Sequence, residues 1–421
     1  MNILLCPLSD GGYLYPAIAA GRELARRGHR VSLLGRSTAA PFADEAGLPF
    51  AAAEEFGGRQ AFSAARWGTT GAAQYRATVR AARQARADLL VTSVLCNGTL
   101  LAAEALDLPV VVIGLSVHLW NYRSGGADEP QWGRTRQNRT DECLELYAAV
   151  REEAGLAGRA PRRPENPLHG DALLLRGIPE LEYPGAELPE RTYQVGPLDW
   201  EPAADRAELA DITGALDRCG KPVVYVHLGR FFGGGSPWPR LNTTFTGGRF
   251  QAVVEQGRTA DPQPAPEADV LLVRRPWLGP LLDRAGLVLT NGTSAPVLAA
   301  LQRGLPLGVS PNGSEQPVLA AACRRAGAAV HLPNTPEPDQ RARLDAAWQD
   351  DRLRENARRL GRRLAATLGA ARAADIAEQV AQQSATPREN HDDAIGRSGH
   401  RDGAAAVGGP APVGAAARRV P

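Results

Sequence analysis

Lysine is almost missing from this chain: Lys221 is the sole one in 421 residues, so arginine carries nearly all the positive charge. Alanine, glycine and proline are abundant too, and a biased base composition explains the arginine as simply as a demand for guanidinium does. The net charge is only +2, which excludes the concentrated basic surface of a nucleic-acid binder. The five cysteines (Cys6, Cys96, Cys143, Cys219 and Cys323) are scattered and include no Cys-x-x-Cys pair. That pattern excludes a disulfide framework and a zinc-ligand set. No uncharged apolar run reaches the ~18–20 residues of a membrane helix. The first residues lack the basic region and apolar stretch of a secretion signal. These absences predict a cytoplasmic protein with no membrane span and no nucleic-acid partner.

What is present is ordinary globular material, 43% hydrophobic and 22% charged. At about 150 residues per domain, the length predicts two or three domains. Short apolar runs alternate with helical periodicity from the start. Residues 3–6 read as a buried strand, 17–27 as a helix stopped by Gly28, 31–34 as a strand, and 38–46 as a helix stopped by Gly47. Residues 89–92 and 110–113 are further strands around a helical 100–106. This alternation implies a parallel sheet covered on both faces. Residues 121–170 break the pattern around one helical piece, 141–154, and read as an insertion in which substrate contacts gather. The stretch 201–220 is polar and reads as an interdomain linker.

A second alternating unit follows over 221–384, with strands near 222–229, 252–255, 270–273, 287–290 and 307–310. Helices are expected at 296–302, 316–325 and, rich in Ala and Arg, 341–383. Beyond Ser384 periodicity ends, and 385–421 is expected to be disordered. The domains are therefore 1–200 and 221–384.

In open parallel sheets ligands bind at the carboxyl ends of strands, where loops meet helix N-termini. The segment Leu287-Val288-Leu289-Thr290-Asn291-Gly292-Thr293-Ser294-Ala295-Pro296-Val297 has that form. Backbone N–H groups at the helix start, with the hydroxyls of Thr293 and Ser294, suit a diphosphate. A simple capped helix explains the same residues. The next strand ends at Ser310-Pro311-Asn312-Gly313-Ser314-Glu315-Gln316, bringing a carboxylate and a carboxamide to the same sheet edge. Such a pair suits sugar hydroxyls, although Glu315 also suits the positive end of the following helix.

Residues 290–327 resemble the donor signature of the macrolide- and plant-type glycosyltransferase family. Gly292, Ala300-Leu301, Gly304, Pro306, Pro311 and Glu315-Gln316 fall at its places. Pro179-Glu180-Leu181-Glu182-Tyr183-Pro184 and Val195-Gly196-Pro197 look like the segment before that family's linker. Arg27-Gly28-His29-Arg30-Val31 and Asp44-Glu45-Ala46-Gly47-Leu48-Pro49-Phe50 look like its N-terminal domain. The resemblance implies an α/β protein of two facing Rossmann-like domains (GT-B type), with parallel sheets and an interdomain cleft. It implies a nucleotide sugar in the C-terminal domain and a small natural-product acceptor in the N-terminal one. By analogy, the expected reaction is an inverting, metal-independent sugar transfer. No Asp-x-Asp motif ends a strand, so no metal is expected, and no cofactor beyond the nucleotide-sugar co-substrate.

The sequence also departs from that pattern. The family's donor histidine, a phosphate contact, is Asn291 here, its Ser/Thr is Pro296 and its glutamate Ala299. Arg230, Arg274 or Arg275 are the candidate replacements for a diphosphate clamp. Donor binding is thus assigned to Arg230, Asn291, Gly292, Thr293, Ser294, Glu315 and Gln316. The family's basic histidine is Tyr13, in Gly12-Tyr13-Leu14-Tyr15-Pro16, and its acidic partner falls near Ser93. A neutral tyrosine is a poor base at pH 7, so His118, in a loop after an apolar strand, joins Tyr13 as a catalytic candidate. A lone loop histidine is more often structural or merely exposed. His227, inside a strand pattern, fits less well. Aromatic residues are only 5% of the chain, yet several gather in the N-terminal half, and Trp67, Trp120 and Tyr122 are assigned to the acceptor. Core packing explains the same residues. With both dyad members missing, three options stand: His118 as base, a nucleophile needing little activation, or lost catalysis. A non-catalytic activator of another transferase, or a nucleotide-sugar epimerase, are the alternative functions.

Overall fold

The computed structural model describes residues 1–56, 64–227, 236–255, 263–274, 277–313, 315–332 and 339–385, with the side chains of 64–70 and 385 left aside. Residues 386–421, expected to be disordered, lie outside the described residues.

Two parallel sheets organise the chain. The first has seven strands: β1 (Asn2–Cys6), β2 (Arg30–Gly35), β3 (Phe50–Ala52), β4 (Leu89–Ser93), β5 (Val110–Ile113), β6 (Ala172–Leu175) and β7 (Thr192–Gln194), in the order β3-β2-β1-β4-β5-β6-β7. The second has six: β8 (Val223–His227), β9 (Gln251–Glu255), β10 (Val270–Val273), β11 (Ala285–Thr290), β12 (Leu307–Val309) and β13 (Ala329–His331), in the order β10-β9-β8-β11-β12-β13. Each order reverses once, between β1 and β4 and between β8 and β11. A crevice opens at such a reversal because the loops on either side run to opposite faces.

Strand alternation sends neighbouring side chains to opposite cores. Ile3 and Leu5 of β1 pack with Leu14, Ala17 and Ile18 of the helix Gly11–Arg26. Leu4 and Cys6 pack on the other face with Leu100 and Leu101 of the helix Asn97–Leu106. In the second sheet, Val224 and Val226 face Trp238, Leu241 and Phe245. Val223 and Tyr225 face the opposite core, with Val297 and Leu301 of the helix Ser294–Gln302. Each such aliphatic side chain contributes about 1.5–3 kcal/mol of burial, and doubly covered sheets maximise the number that do so.

Several expected boundaries move. The first helix begins at Gly11, so Tyr13 and Pro16 stand in its first turns rather than in a turn before it. Pro16 lies inside the helix and, having no N–H, leaves the Gly12 carbonyl without its usual helical donor. The insertion helix runs over Gly133–Glu153. The polar stretch read as a linker is largely the helix Arg206–Cys219, capped by the Asp205 carboxylate, which accepts from Ala207 N at 2.9 Å and Glu208 N at 3.0 Å. The expected long final helix is three: Gln340–Gln349, Asp351–Ala365 and Gly369–Ala385. Asp350 ends one and caps the next, accepting from Leu353 N at 3.0 Å. Leu368 interrupts again at φ +58.

The last helix returns to the N-terminal sheet. Ala373, Ala374, Ile376 and Ala377 share the core of Ile3, Leu5 and Leu14. The N-terminal lobe is therefore completed by the end of the described chain, not closed at residue 200. Gly196, at φ +85, permits this crossing, since a Cβ there would lie 1.7 Å from Thr367 Oγ1.

Candidate functional site

A cleft of about 1210 Å³ opens where the carboxyl edges of the two sheets meet. Asp10 and Tyr13, from the loop and helix after β1, form part of its wall, as does Arg176 at the end of β6. The second sheet contributes His227 and Glu255 from the ends of β8 and β9, Thr293 and Ser294 after β11, and Glu315 and Gln316 after β12. Thus four of the seven residues assigned to the donor line one cavity with Tyr13.

The turn after β11 is internally braced. Asn291, buried, accepts on Oδ1 from Thr293 Oγ1 at 2.7 Å and from Thr293 N at 3.2 Å. Its side chain therefore shapes the turn instead of presenting a charge, the local capping role that asparagine favours. Gly292 follows at φ +88, and a Cβ there would sit 2.8 Å from Gln316 O. Neither Asn291 nor Gly292 lines the cleft. Together they hold the start of the helix Ser294–Gln302 against the start of the helix Gln316–Arg325. Gln316 Oε1 accepts from Asn312 N at 3.0 Å, which fixes the carboxamide. Ser294 reaches the other lobe: its Oγ lies 2.8 Å from Ser116 Oγ and accepts from Ser116 N at 3.2 Å. Arg230 lies outside the described residues, as does Arg275.

On the opposing edge, Ser93 stands where the resembling family has an acid. Its Oγ accepts from Leu8 N at 3.0 Å and so ties down the loop that leads to Asp10 and Tyr13. The hydroxyl is committed to structure.

The other N-terminal assignments lie elsewhere. His118 is fully buried and does not line the cleft. Its Nε2 lies 3.4 Å from His169 Nε2, its ring meets Trp120 edge-on at 5.7 Å, and Tyr122 stacks on it at 5.8 Å. Its backbone N donates to Glu182 Oε1 at 2.7 Å, and Tyr122 Oη donates to Glu182 Oε2 at 2.7 Å. Arg136 pairs with Glu129 at 2.8 Å, donates to His118 O, and lies over the Tyr122 ring. The expectation that the strand end carries His118 to the cleft is thus corrected: the loop turns inward and the ring anchors the insertion. Trp120 and Tyr122 belong to this cluster and not to the cleft wall. Trp67 lies in the helix Ala64–Ala85, and its side chain is outside the described residues.

Burial, then the charges of His169 and Arg136, hold His118 well below the usual histidine range; burial alone lowers His169 to about 4. Both rings are therefore neutral at pH 7. A depressed histidine pKa means the unfolded chain binds more protons below about pH 6.5, so stability should fall as pH drops from there towards 4. Thermal melts across that window check this. His169→Asn should show a shallower slope, and an unchanged slope would contradict the assignment.

Two cleft residues, Arg176 and Asp10, escape the sequence reading, and His227 is set aside in it. Arg176 is only 3% exposed, donates from Nε to Gly114 O at 2.9 Å, and has no described carboxylate at ion-pair distance. Burial lowers its pKa to about 10, against the attraction of Tyr13, Glu315 and Asp199. A charge immediately after Leu173-Leu174-Leu175 was the available signal. Asp10 begins the first helix, and a lone acid after an apolar strand carries little signal. His227 looked internal to a strand, yet it is the last residue of β8.

No family model matches the chain. A curated relative, 4'-demethylrebeccamycin synthase of Lentzea aerocolonigenes, is 27% identical over 401 residues, spanning 85% of this chain and 94% of the relative. Among solved structures, the glycotransferase of kitacinnamycin matches with a TM-score of 0.70 at 20% identity, over 90% of this chain and 98% of that one. The spinosyn rhamnosyltransferase SpnG complexed with thymidine diphosphate matches with a TM-score of 0.61 at 20% identity, over 87% of this chain and 96% of that one. The chain is thus similar to 4'-demethylrebeccamycin synthase over most of its length and has the two-sheet fold of solved natural-product glycosyltransferases.

Proposed function

We propose that this protein is a glycosyltransferase that moves a sugar from a nucleoside diphosphate to a small natural-product acceptor, with inversion and without a metal. One observation carries the reading: Thr293, Ser294, Glu315 and Gln316 from one sheet edge face Tyr13 from the other across a single cleft. The helix Ser294–Gln302 begins at that wall, where its free N–H groups and dipole favour a diphosphate. Glu315 and Gln316 offer acceptors and a donor to sugar hydroxyls. The acceptor enters from the Tyr13 side, where Tyr15 and Trp200, with ring centroids 5.2 Å apart, add apolar wall. Thymidine diphosphate is the first nucleotide to try, because one fold neighbour was solved with it.

Deprotonation is the open chemical step. Tyr13 faces the cleft, and Arg176 is near enough for their charges to interact. An amine or activated aromatic carbon as nucleophile makes a strong base unnecessary. The buried His118 is not needed in either case. His118→Ala should leave turnover within about threefold while lowering stability by roughly 2–4 kcal/mol, the cost of a core cavity. Turnover reduced by orders of magnitude in a folded variant would restore His118 as the base.

The commitment of Ser93 to a loop contact favours one second reading, a non-catalytic protein that activates another transferase. Incubation with nucleotide sugars and candidate acceptors, followed by mass spectrometry, separates the two. A glycosylated product supports the transferase. No product and no nucleotide binding, with stimulation of a partner enzyme, sinks it.

A further inference from the structure

The resembling family's phosphate-contacting histidine is Asn291 here, and Asn291 is turned to bracing its own loop. A replacement stands on the neighbouring strand. His227 ends β8, and its register partner on β11 is Thr290, the residue before Asn291. The sheet order reverses between these two strands, so His227 borders the crevice. Side chains repeat every second residue along a strand, which sets His227 on the face of Tyr225, the face packed by the helix Ser294–Gln302.

The imidazole is held, not idle. His227 Nε2 lies 2.8 Å from Glu255 Oε2, and Tyr225 Oη donates to the same oxygen at 3.2 Å. Nδ1 is buried and has no hydrogen-bond partner. A ring whose one nitrogen is fixed by a carboxylate and whose other nitrogen lacks a partner has the arrangement of an oriented acid or base. Burial pulls the ring pKa down, but the charge and hydrogen bond of Glu255 outweigh it and the net shift is upward. Among the described residues, Tyr225, buried in the core, and Tyr15, on the facing N-terminal wall of the cleft, also feel the charge of Glu255, and Glu201 acts on both tyrosines.

We propose that His227 is a catalytic residue on the donor side, its protonated ring donating from Nδ1 to the departing diphosphate, with Glu255 as the positioning residue that keeps the proton on the ring. This rests on the transferase reading above. In the step, the bond from the anomeric carbon to the diphosphate oxygen breaks and its electron pair leaves on that oxygen. The acceptor's nucleophilic atom forms the new bond to the same carbon, and its proton is released on the acceptor side. His227 shares its proton with the leaving oxygen without surrendering it, so charge and atoms balance. A charge-assisted donor aimed where negative charge develops is the arrangement that accelerates such a departure.

The test compares wild type, His227→Gln and Glu255→Gln, titrated with thymidine diphosphate by calorimetry and with thymidine by ligand-observed NMR. His227→Gln should weaken thymidine diphosphate about 10-fold and lower kcat about 100-fold, with thymidine affinity unchanged. Equal diphosphate affinity and equal kcat in the variant would overturn the inference while leaving the transferase reading intact. Wild type that binds neither thymidine diphosphate nor the uridine and guanosine diphosphates would overturn the transferase reading itself. If His227→Gln loses both ligands through misfolding, Glu255→Gln decides: weakened diphosphate with thymidine retained supports the pair, and wild-type diphosphate affinity overturns it.

Discussion

Gly292→Ala should abolish measurable donor binding, lowering nucleoside-diphosphate affinity and turnover by about 100-fold or more. Two costs add at this position. A side chain at φ +88 enters the left-handed region, which costs about 1–2 kcal/mol. The new methyl would also lie 2.8 Å from the backbone oxygen of Gln316, a rigid neighbour that cannot rotate away. Relief requires the turn after β11 and the helix Gln316–Arg325 to separate. Those are the elements that set Thr293, Ser294, Glu315 and Gln316 in one wall, and every 1.4 kcal/mol lost there is tenfold in affinity. Calorimetry with thymidine diphosphate, beside a thermal melt, measures both consequences. Wild-type affinity in Gly292→Ala would mean that the close approach does not shape the donor wall.

Arg176→Met should move activity and stability in opposite directions. A guanidinium 3% exposed, with no described carboxylate at ion-pair distance, is costly to bury. An apolar side chain of similar length removes that cost and forfeits one hydrogen bond to Gly114 O. Stability should therefore hold or rise. Catalysis should suffer, because Arg176 is the buried cation of the N-terminal wall and interacts with Tyr13 and Glu315 across the site. A fall in kcat/KM of about 100- to 1,000-fold is the scale for losing a preorganised charge in an active site. Arg176→Lys should recover part of the activity but not the hydrogen bond from Nε. Unchanged kcat/KM with raised stability would make Arg176 a structural residue.

The alternation of apolar runs and helices was enough to read the two parallel sheets, since period and turn residues are local properties. Residues 316–325 form a helix as expected, and Thr293, Ser294, Glu315 and Gln316 line the cleft where strand ends meet helix starts. What failed to show in the sequence depended on distant partners. The helix Gly369–Ala385 carries an apolar face that says nothing about which core it joins; only the close pass of Thr367 over Gly196 reveals the crossing. The polar stretch before Gly220 looked like a linker because a helix with one buried face over Ile212 and Leu216 reads as polar overall. His118 leaves the cleft and His227 lines it for the same reason. A loop after a strand usually faces the cleft, but this one turns inward on His169 and Glu182. A histidine in an apolar strand looks like core until it is seen to line the cleft.

The most direct test of the central claim is a crystal structure of the protein with thymidine diphosphate or another nucleoside diphosphate. The diphosphate should lie at the start of the helix Ser294–Gln302, within hydrogen-bond reach of the Ser294–Ala295 backbone, with His227 beside it and Glu315 and Gln316 placed to meet the sugar. A nucleotide seated away from that wall, or none bound at millimolar concentration, would contradict it.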